Sequence, residues 1–317
     1  MALITPLSAS DAARVAHAWS LGSVARVEPI AAGSVNSNFI LTTARGGYFL
    51  RIYEEQGADG VAFEWRLLDH LTDAKVPSPR RIKGPPPGEV TVASKPVGVF
   101  ELMGGFERCR RQVTGLHMAA VGDALARVHL ASEGFELTGN DRFDAASLKK
   151  RLDTVDVAAH PELAGDVAKL RATLDAIPAY ELPKGIVHGD LFRDNVRWES
   201  DALVALLDWE SASRGVLLFD VAVVLLAWCW TDRFEWSLAR AFMGAYDRAR
   251  PLSPEERRCF GHVATAACAR FATTRITDFY LRGGPGSPGY RDYKRFLARL
   301  DAVRAMAEGE LAARLID

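Results

Sequence analysis

The apolar positions of the first hundred residues change period several times. After Ser8 and Ser10, "DAARVAHAW" spaces them for one face of a short helix, with either serine as its cap. The period then drops to two. "VARVEPI", "NFILTT" and "YFLRIYE" each predict a strand, and "ARGG" between the last two is a hairpin turn signal, so a β-meander is expected. In "GVAFEWRLLDHLTDA", Val61, Phe63, Leu67, Leu68 and Leu71 return to helical spacing, and "VPSP" ends that helix because proline lacks the N–H donor. "RRIK" and "VTVAS" read as two further short strands around the turn "PPPGE", and "VGVFELMGG" as a strand running into a Gly-Gly break. Beyond the break the period is mainly helical, through "QVTGLHMAAVGDALARVHLAS", "ELAGDVAKLRATLDAI", "FDVAVVLLAWCW" and "CFGHVATAACARFATTRITDFYL". Only residues 186–208 interrupt it, with three short apolar β-type runs. The expected class is α+β: a small antiparallel-sheet N-terminal lobe over residues 1–102, a hinge at 103–106, and a larger, mainly helical C-terminal lobe over 107–317.

Composition narrows the partners. At 317 residues and 49% hydrophobic, the chain is long enough for two domains with a substantial core. Its 39 Lys+Arg against 40 Asp+Glu give a net charge of −1, which offers no footprint for nucleic acid or an anionic membrane. The four cysteines, Cys109, Cys229, Cys259 and Cys268, contain no C-x-x-C pair, so neither a disulfide framework nor a zinc site is read. The N-terminus lacks a basic region followed by an apolar one, and no run approaches the ~18 apolar residues of a membrane span. A cytoplasmic monomer or homodimer acting on a small molecule is expected.

The chemistry concentrates in "GIVHGDLFRDNVRW". Its spacing H-x-D-x-x-x-x-N sets His188, Asp190 and Asn195 after an apolar run, and Asp208 closes the later run "LVALLD". Phosphoryl transfer needs one carboxylate to accept the nucleophile's proton, with an amide oxygen and a second carboxylate to hold Mg²⁺ against nucleotide phosphates. Asp190 fits the first part, Asn195 and Asp208 the second, and ATP with Mg²⁺ is the implied cofactor pair. Beside a catalytic aspartate, His188 reads mainly as a group that orders the loop. Upstream, Gly33, Ser34, Asn36 and Ser37 join two β-runs with small or polar residues whose backbone could approach phosphate. Arg51 in the next strand would supply a fixed cation, with Glu64 on the following helix as its partner; a surface ion pair is the alternative, and the Mg²⁺-phosphate assignment favours the functional reading.

On these residues the chain resembles the aminoglycoside phosphotransferase and choline kinase branch of the protein-kinase-like two-lobed fold, over almost its whole length. "IVHGDLFRDN" is similar to that branch's catalytic loop, "LLDWESASRGVLLFDVA" to its metal-binding segment, and "YFLRIY", "FEWRLLDHL" and "VPSP" to its small-lobe core. Within the branch, "GSVNSNFIL", "FDVAVVLLAWCW" and "ACARFATTRITDFY" followed by "YRDYKRFLARL" most resemble the bacterial homoserine kinases of this type. The resemblance implies Asp190 as the base, Asn195 and Asp208 as Mg²⁺ ligands, Asp220 as an acid anchoring the loop, and transfer of the γ-phosphate to L-homoserine in threonine biosynthesis. Three positions depart from it: Arg51 replaces a lysine, Val35 an acid, and "DWES" an aromatic "DFY".

An amino-acid acceptor also needs a cation for its carboxylate and an acid for its ammonium. Arg270 and Arg275 are candidates for the first, and Asp194, Glu210, Asp232 and Asp278 for the second. A polycationic aminoglycoside would favour an acidic face, which the near balance of charge beyond residue 107 does not supply. A choline-like substrate would use an aromatic box, and Trp209, Trp228, Trp230, Trp236 and Tyr280 read more readily as core. Another hydroxylated metabolite or antibiotic is the alternative acceptor. A two-metal phosphoesterase and a silent nucleotide-binding pseudokinase are the rival classes.

Overall fold

The computed structural model describes residues 4–30, 35–136, 144–287 and 289–316. The chain divides into two compact units. One comprises Met1–Phe106, Arg197–Ser200 and Val204–Glu210; the other comprises Glu107–Val196, Asp201–Leu203 and Ser211–Asp317.

The first unit opens with helix α1 (Ala9–Ala18), which Ser8 caps by accepting the Asp11 N–H at 3.0 Å. Strands β1 (Val24–Ile30), β2 (Ser37–Thr43) and β3 (Gly46–Ile52) form the expected meander, and helix α2 (Ala58–Asp73) follows. With β4 (Thr91–Val92) and β5 (Lys95–Glu101) they make one antiparallel sheet in the order β1-β2-β3-β5-β4. The hairpin closes with Thr43 opposite Gly46, where φ is +138°, a value that favours glycine. Alternate residues Leu41, Leu50, Ile52, Val97 and Val99 bury against Val15 of α1 and Val61 and Trp65 of α2. "RRIK" is not a strand: Arg81 makes a single bridge to Phe100. Pro79 precedes it and Pro85, Pro86 and Pro87 follow, fixing φ and removing the donors a longer ladder requires. "VTVAS" likewise contributes only the two residues of β4.

The second unit is built on α3 (Gly115–Leu130), α4 (Ala145–Asp153), α5 (Ala164–Ala176), α6 (Leu217–Trp228), α7 (Trp236–Ala249) and α8 (Pro254–Arg275). It ends with a single turn α9 (Leu281–Gly283), then α10 (Lys294–Arg304) and α11 (Glu310–Ile316). Gly122 lets α3 and α7 approach closely, because a Cβ there would lie 2.3 Å from the Phe242 carbonyl oxygen. Helix α6 is buried nearly all round, including its one acid, Asp220. Ser253 and Glu256 form a reciprocal capping box at the start of α8, and Pro254 occupies the first turn. At its other end α8 widens into a π-helical turn over Ile276–Tyr280.

Strand β6 (Lys184–Val187) pairs antiparallel with β9 (Ser213–Val216). "SRGV" carries no apolar alternation, so β9 exists because β6 offers it a partner. Between them β7 (Val196–Glu199) and β8 (Ala202–Leu206) form a hairpin. No helix among the described residues is long and apolar enough to cross a membrane.

Candidate active site

In the second unit the chain leaves β6 at Val187 and enters "HGDLFRDN". Gly189 has φ +78°, and a Cβ there would meet the Ser211 carbonyl oxygen at 2.9 Å, so the turn demands glycine. Asp220, fully buried in the first turn of α6, accepts the His188 N–H at 2.5 Å and the Gly189 N–H at 2.8 Å. Its carboxylate therefore grips backbone, one oxygen per amide. Behind it His129 Nε2 lies 3.5 Å from Asp220, His129 Nδ1 lies 2.6 Å from the Tyr246 hydroxyl, and Arg250 links that hydroxyl to Glu256. Burial lowers the pKa of His129 against the opposing pull of Asp220, which favours the neutral ring. Replacing Asp220 by alanine strands two buried N–H groups and is expected to cost about 3–5 kcal/mol. Urea unfolding of Asp220→Ala and the parent chain measures this.

His188 is completely buried, and its Nδ1 accepts the Asp190 N–H at 3.3 Å, so the ring orders the loop from within. The Asp190 side chain is 27% exposed and lies 3.4 Å from Arg270 Nη1 through Oδ1 alone. Asn195 donates Nδ2 to the Asp190 carbonyl at 2.8 Å. That bond fixes the amide orientation and leaves Asn195 Oδ1 with free lone pairs among the described residues.

The first unit holds a separate set. Asp208 adopts φ +66°, left-handed backbone that a non-glycine residue occupies at a cost. Arg51 Nη2 lies 3.8 Å from Asp208, and Arg51 Nη1 lies 3.5 Å from Glu64. The guanidinium also sits over the Phe49 and Tyr53 rings at 5.8 and 5.9 Å. Tyr53 donates to Glu64 at 3.1 Å and accepts from Trp65 at 3.2 Å. The Arg51–Glu64 pair is thus largely buried, and the alternative of a surface pair falls away. Burial raises the pKa of Glu64 even against Arg51; burial opposes the charge on Arg51, yet Glu64 and then Asp208 raise its pKa overall. A shorter lysine cannot span both carboxylates with two nitrogens. Should Arg51 face nucleotide phosphates as the sequence resemblance implies, Arg51→Lys is expected to raise the KM for nucleotide about tenfold while retaining turnover, as initial-rate kinetics will record.

Asn36 donates to Glu210 at 2.7 Å and accepts the Glu54 N–H at 3.1 Å. Ser37, fully buried, receives the Ile4 and Thr5 N–H groups and donates to Glu54 at 2.5 Å; Lys95 also binds that carboxylate. The Ser37 hydroxyl is therefore committed inside the unit. Gly33 and Ser34 lie outside the described residues. No sequence motif points to Glu54; the register that sets Ser37 opposite Ile52 brings it to the serine, two residues beyond that cross-strand partner.

Among the other candidates, Asp278 receives Arg151 Nη1 on both oxygens at 2.9 Å, and Asp194 lies 3.6 Å from Arg291. Asp232 is exposed and bound to Thr231. Trp209, Trp228 and Trp230 are core residues.

Residues 26–252 match the model of the phosphotransferase enzyme family. The chain belongs to that family, and it is a small-molecule kinase that takes an alcohol group as acceptor. Among curated relatives, a homoserine kinase of Afipia carboxidovorans is 33% identical over 90% of this chain and 89% of its own length. A homoserine kinase of Rhodospirillum rubrum is 33% identical over 90% and 91%. The fold is protein-kinase-like. An amicoumacin kinase solved with AMP-PNP and Ca²⁺ superposes with a TM-score of 0.68 at 15% identity, covering 89% of each chain. Choline kinase of Streptococcus pneumoniae gives 0.65 at 14% identity, covering 94% of this chain and 100% of that one.

Proposed function

We propose that the protein transfers the γ-phosphate of ATP to the side-chain hydroxyl of L-homoserine, forming O-phospho-L-homoserine. The observation that carries the chemistry is Asp190: a partly exposed carboxylate on a loop pinned through its backbone, with one oxygen near Arg270 and the other accepting no bond among the described residues. Such a group orients the acceptor hydroxyl and takes its proton as the oxygen attacks phosphorus. Homoserine is favoured by the relatives at 33% identity that carry that name.

The donor set also suits a hard divalent cation. Asn195 Oδ1 and the Asp208 carboxylate each offer hard oxygen donors with no hydrogen bond spent on them by the described residues, the donor type that Mg²⁺ takes, and such an ion would neutralise charge on the phosphates. Arg51 is expected to face the α- and β-phosphates with its charge locked by Glu64, and Asn36 to order the approach to them. Arg270 and Arg275 on α8 are the candidate cations for a substrate carboxylate, and Arg270 already lies 3.4 Å from Asp190. Asp194 and Glu210 are the candidate acids for its ammonium, although Asp194 lies 3.6 Å from Arg291 and Glu210 accepts from Asn36.

The test is ADP release from Mg²⁺-ATP with L-homoserine against choline, methylthioribose, serine, threonine and a mixed aminoglycoside set. Selective stimulation by homoserine, with phosphorus NMR of the product, is expected. Turnover of a different alcohol alone would replace the acceptor and retain the roles of Asp190, Asn195 and Asp208.

A further inference from the structure

Helix α8 carries two arginines whose charges are spent differently. Arg270 lies 3.4 Å from Asp190 Oδ1 and packs its guanidinium 3.8 Å from the Phe271 ring centroid, so its charge is matched within the protein. Arg275, the last residue of α8 before the π-helical turn, makes no ion pair among the described residues. It donates Nη1 to the Asp292 carbonyl at 2.9 Å and stacks 4.5 Å from the Phe296 centroid. Burial first, and then Arg291, Arg299 and Arg295, pull its pKa down to about 9, while Asp190 is the acid that acts in the opposite sense. A half-buried guanidinium among like charges is costly unless an anion joins it.

The two arginines also share a platform with the catalytic loop. Phe192, two residues after Asp190, meets Phe271 at 4.9 Å, and Phe271 stacks on Phe296 at 4.8 Å with an interplanar angle of 25°. Each arginine thus lies on one ring of the stack that carries the loop. Arg299 rests on Phe296 too, but it is buried with donors spent on the Leu226 and Arg295 carbonyls. Arg291 is engaged with Asp194.

Resting on the amino-acid-alcohol reading above, we propose that Arg275 takes the acceptor's carboxylate, while Arg270 is a positioning residue that fixes Asp190. With Cζ over the Phe296 ring and only Nη1 spent on a hydrogen bond among the described residues, the planar guanidinium of Arg275 keeps further N–H donors of the forked kind that a carboxylate accepts in a bidentate way. Carboxylate recognition and base positioning therefore fall to different residues of one helix.

The experiment compares L-homoserine with L-homoserinamide, which keeps the hydroxyl and ammonium and lacks the negative charge. The parent enzyme is expected to prefer homoserine by about 100-fold in kcat/KM. In Arg275→Met that preference collapses towards 1 through a rise in the KM for homoserine. In Arg270→Met the preference stays, kcat falls on both acceptors, and Arg270→Lys recovers part of it. Arg275→Gln retains a planar group on Phe296 and gives the same readout should the methionine variant fail to fold. An Arg275 variant that keeps the full preference, or an Arg270 variant that loses it, overturns the division of roles. A parent enzyme that ignores both compounds and phosphorylates an alcohol without a carboxylate overturns the homoserine reading itself, and the carboxylate site with it.

Discussion

Asp190→Asn is expected to lower kcat by about 10²–10⁴-fold while the affinity for nucleotide stays within a few fold. The substitution preserves shape and removes the basic oxygen. Nothing that locates the loop is lost, because Asp220 holds it by the backbone of residues 188 and 189, and Asn195 bonds the carbonyl of residue 190, not its side chain. The effect therefore falls on the acceptor's proton and on the electrostatic partner of Arg270. Single-turnover kinetics with an independent nucleotide-binding measurement separates the two quantities. Undiminished turnover in Asp190→Asn would remove this carboxylate from the chemistry.

Asp208→Asn is expected to raise the Mg²⁺ concentration required for half-maximal rate by at least about tenfold and to lower kcat/KM for ATP about 100-fold. Asparagine is the informative replacement because the residue sits at φ +66°, a region asparagine and aspartate tolerate better than alanine. The backbone is kept and only the negative charge goes. Arg51 then retains Glu64 at 3.5 Å but loses its second acid, so nucleotide binding without metal changes far less. Mg²⁺ titrations at fixed ATP distinguish this from a general loss of folding, and an unchanged titration would take Asp208 out of the metal site.

How legible the molecule was depended on whether a feature is local. The hairpin at Ala44 and Arg45 and the cap of α1 arise from neighbouring residues, so turn chemistry predicted the first and cap chemistry narrowed the second to Ser8 or Ser10, of which Ser8 caps. The spacing from His188 to Asn195 is local too, since it measures one loop. The strand expected at "RRIK" failed because β-propensity is decided by available partners, and the prolines around it leave room for one bridge. Strand β9 went unseen for the converse reason. Glu54, His129 and Tyr246 act through partners 17 to 117 residues away, which no periodicity encodes. The Arg151 bond to Asp278 is of the same kind, joining residues 127 apart and tying up an acid that had been a candidate for a substrate ammonium.

The chain Glu64–Arg51–Asp208 has a consequence for how this protein would respond to selection. Within it only Glu64–Arg51 is buried, and buried ion pairs are often no better for folding than apolar residues of similar volume, replacement of both partners together being commonly neutral or stabilising by about 1–4 kcal/mol. Asp208 adds the strain of its left-handed backbone. A library sorted for heat resistance alone would therefore drift towards variants in which this acid–arginine–acid chain has become apolar and residue 208 has become glycine. On the roles proposed for Arg51 and Asp208 such proteins would be hardier and inert, so activity has to be screened in the same round as thermal tolerance.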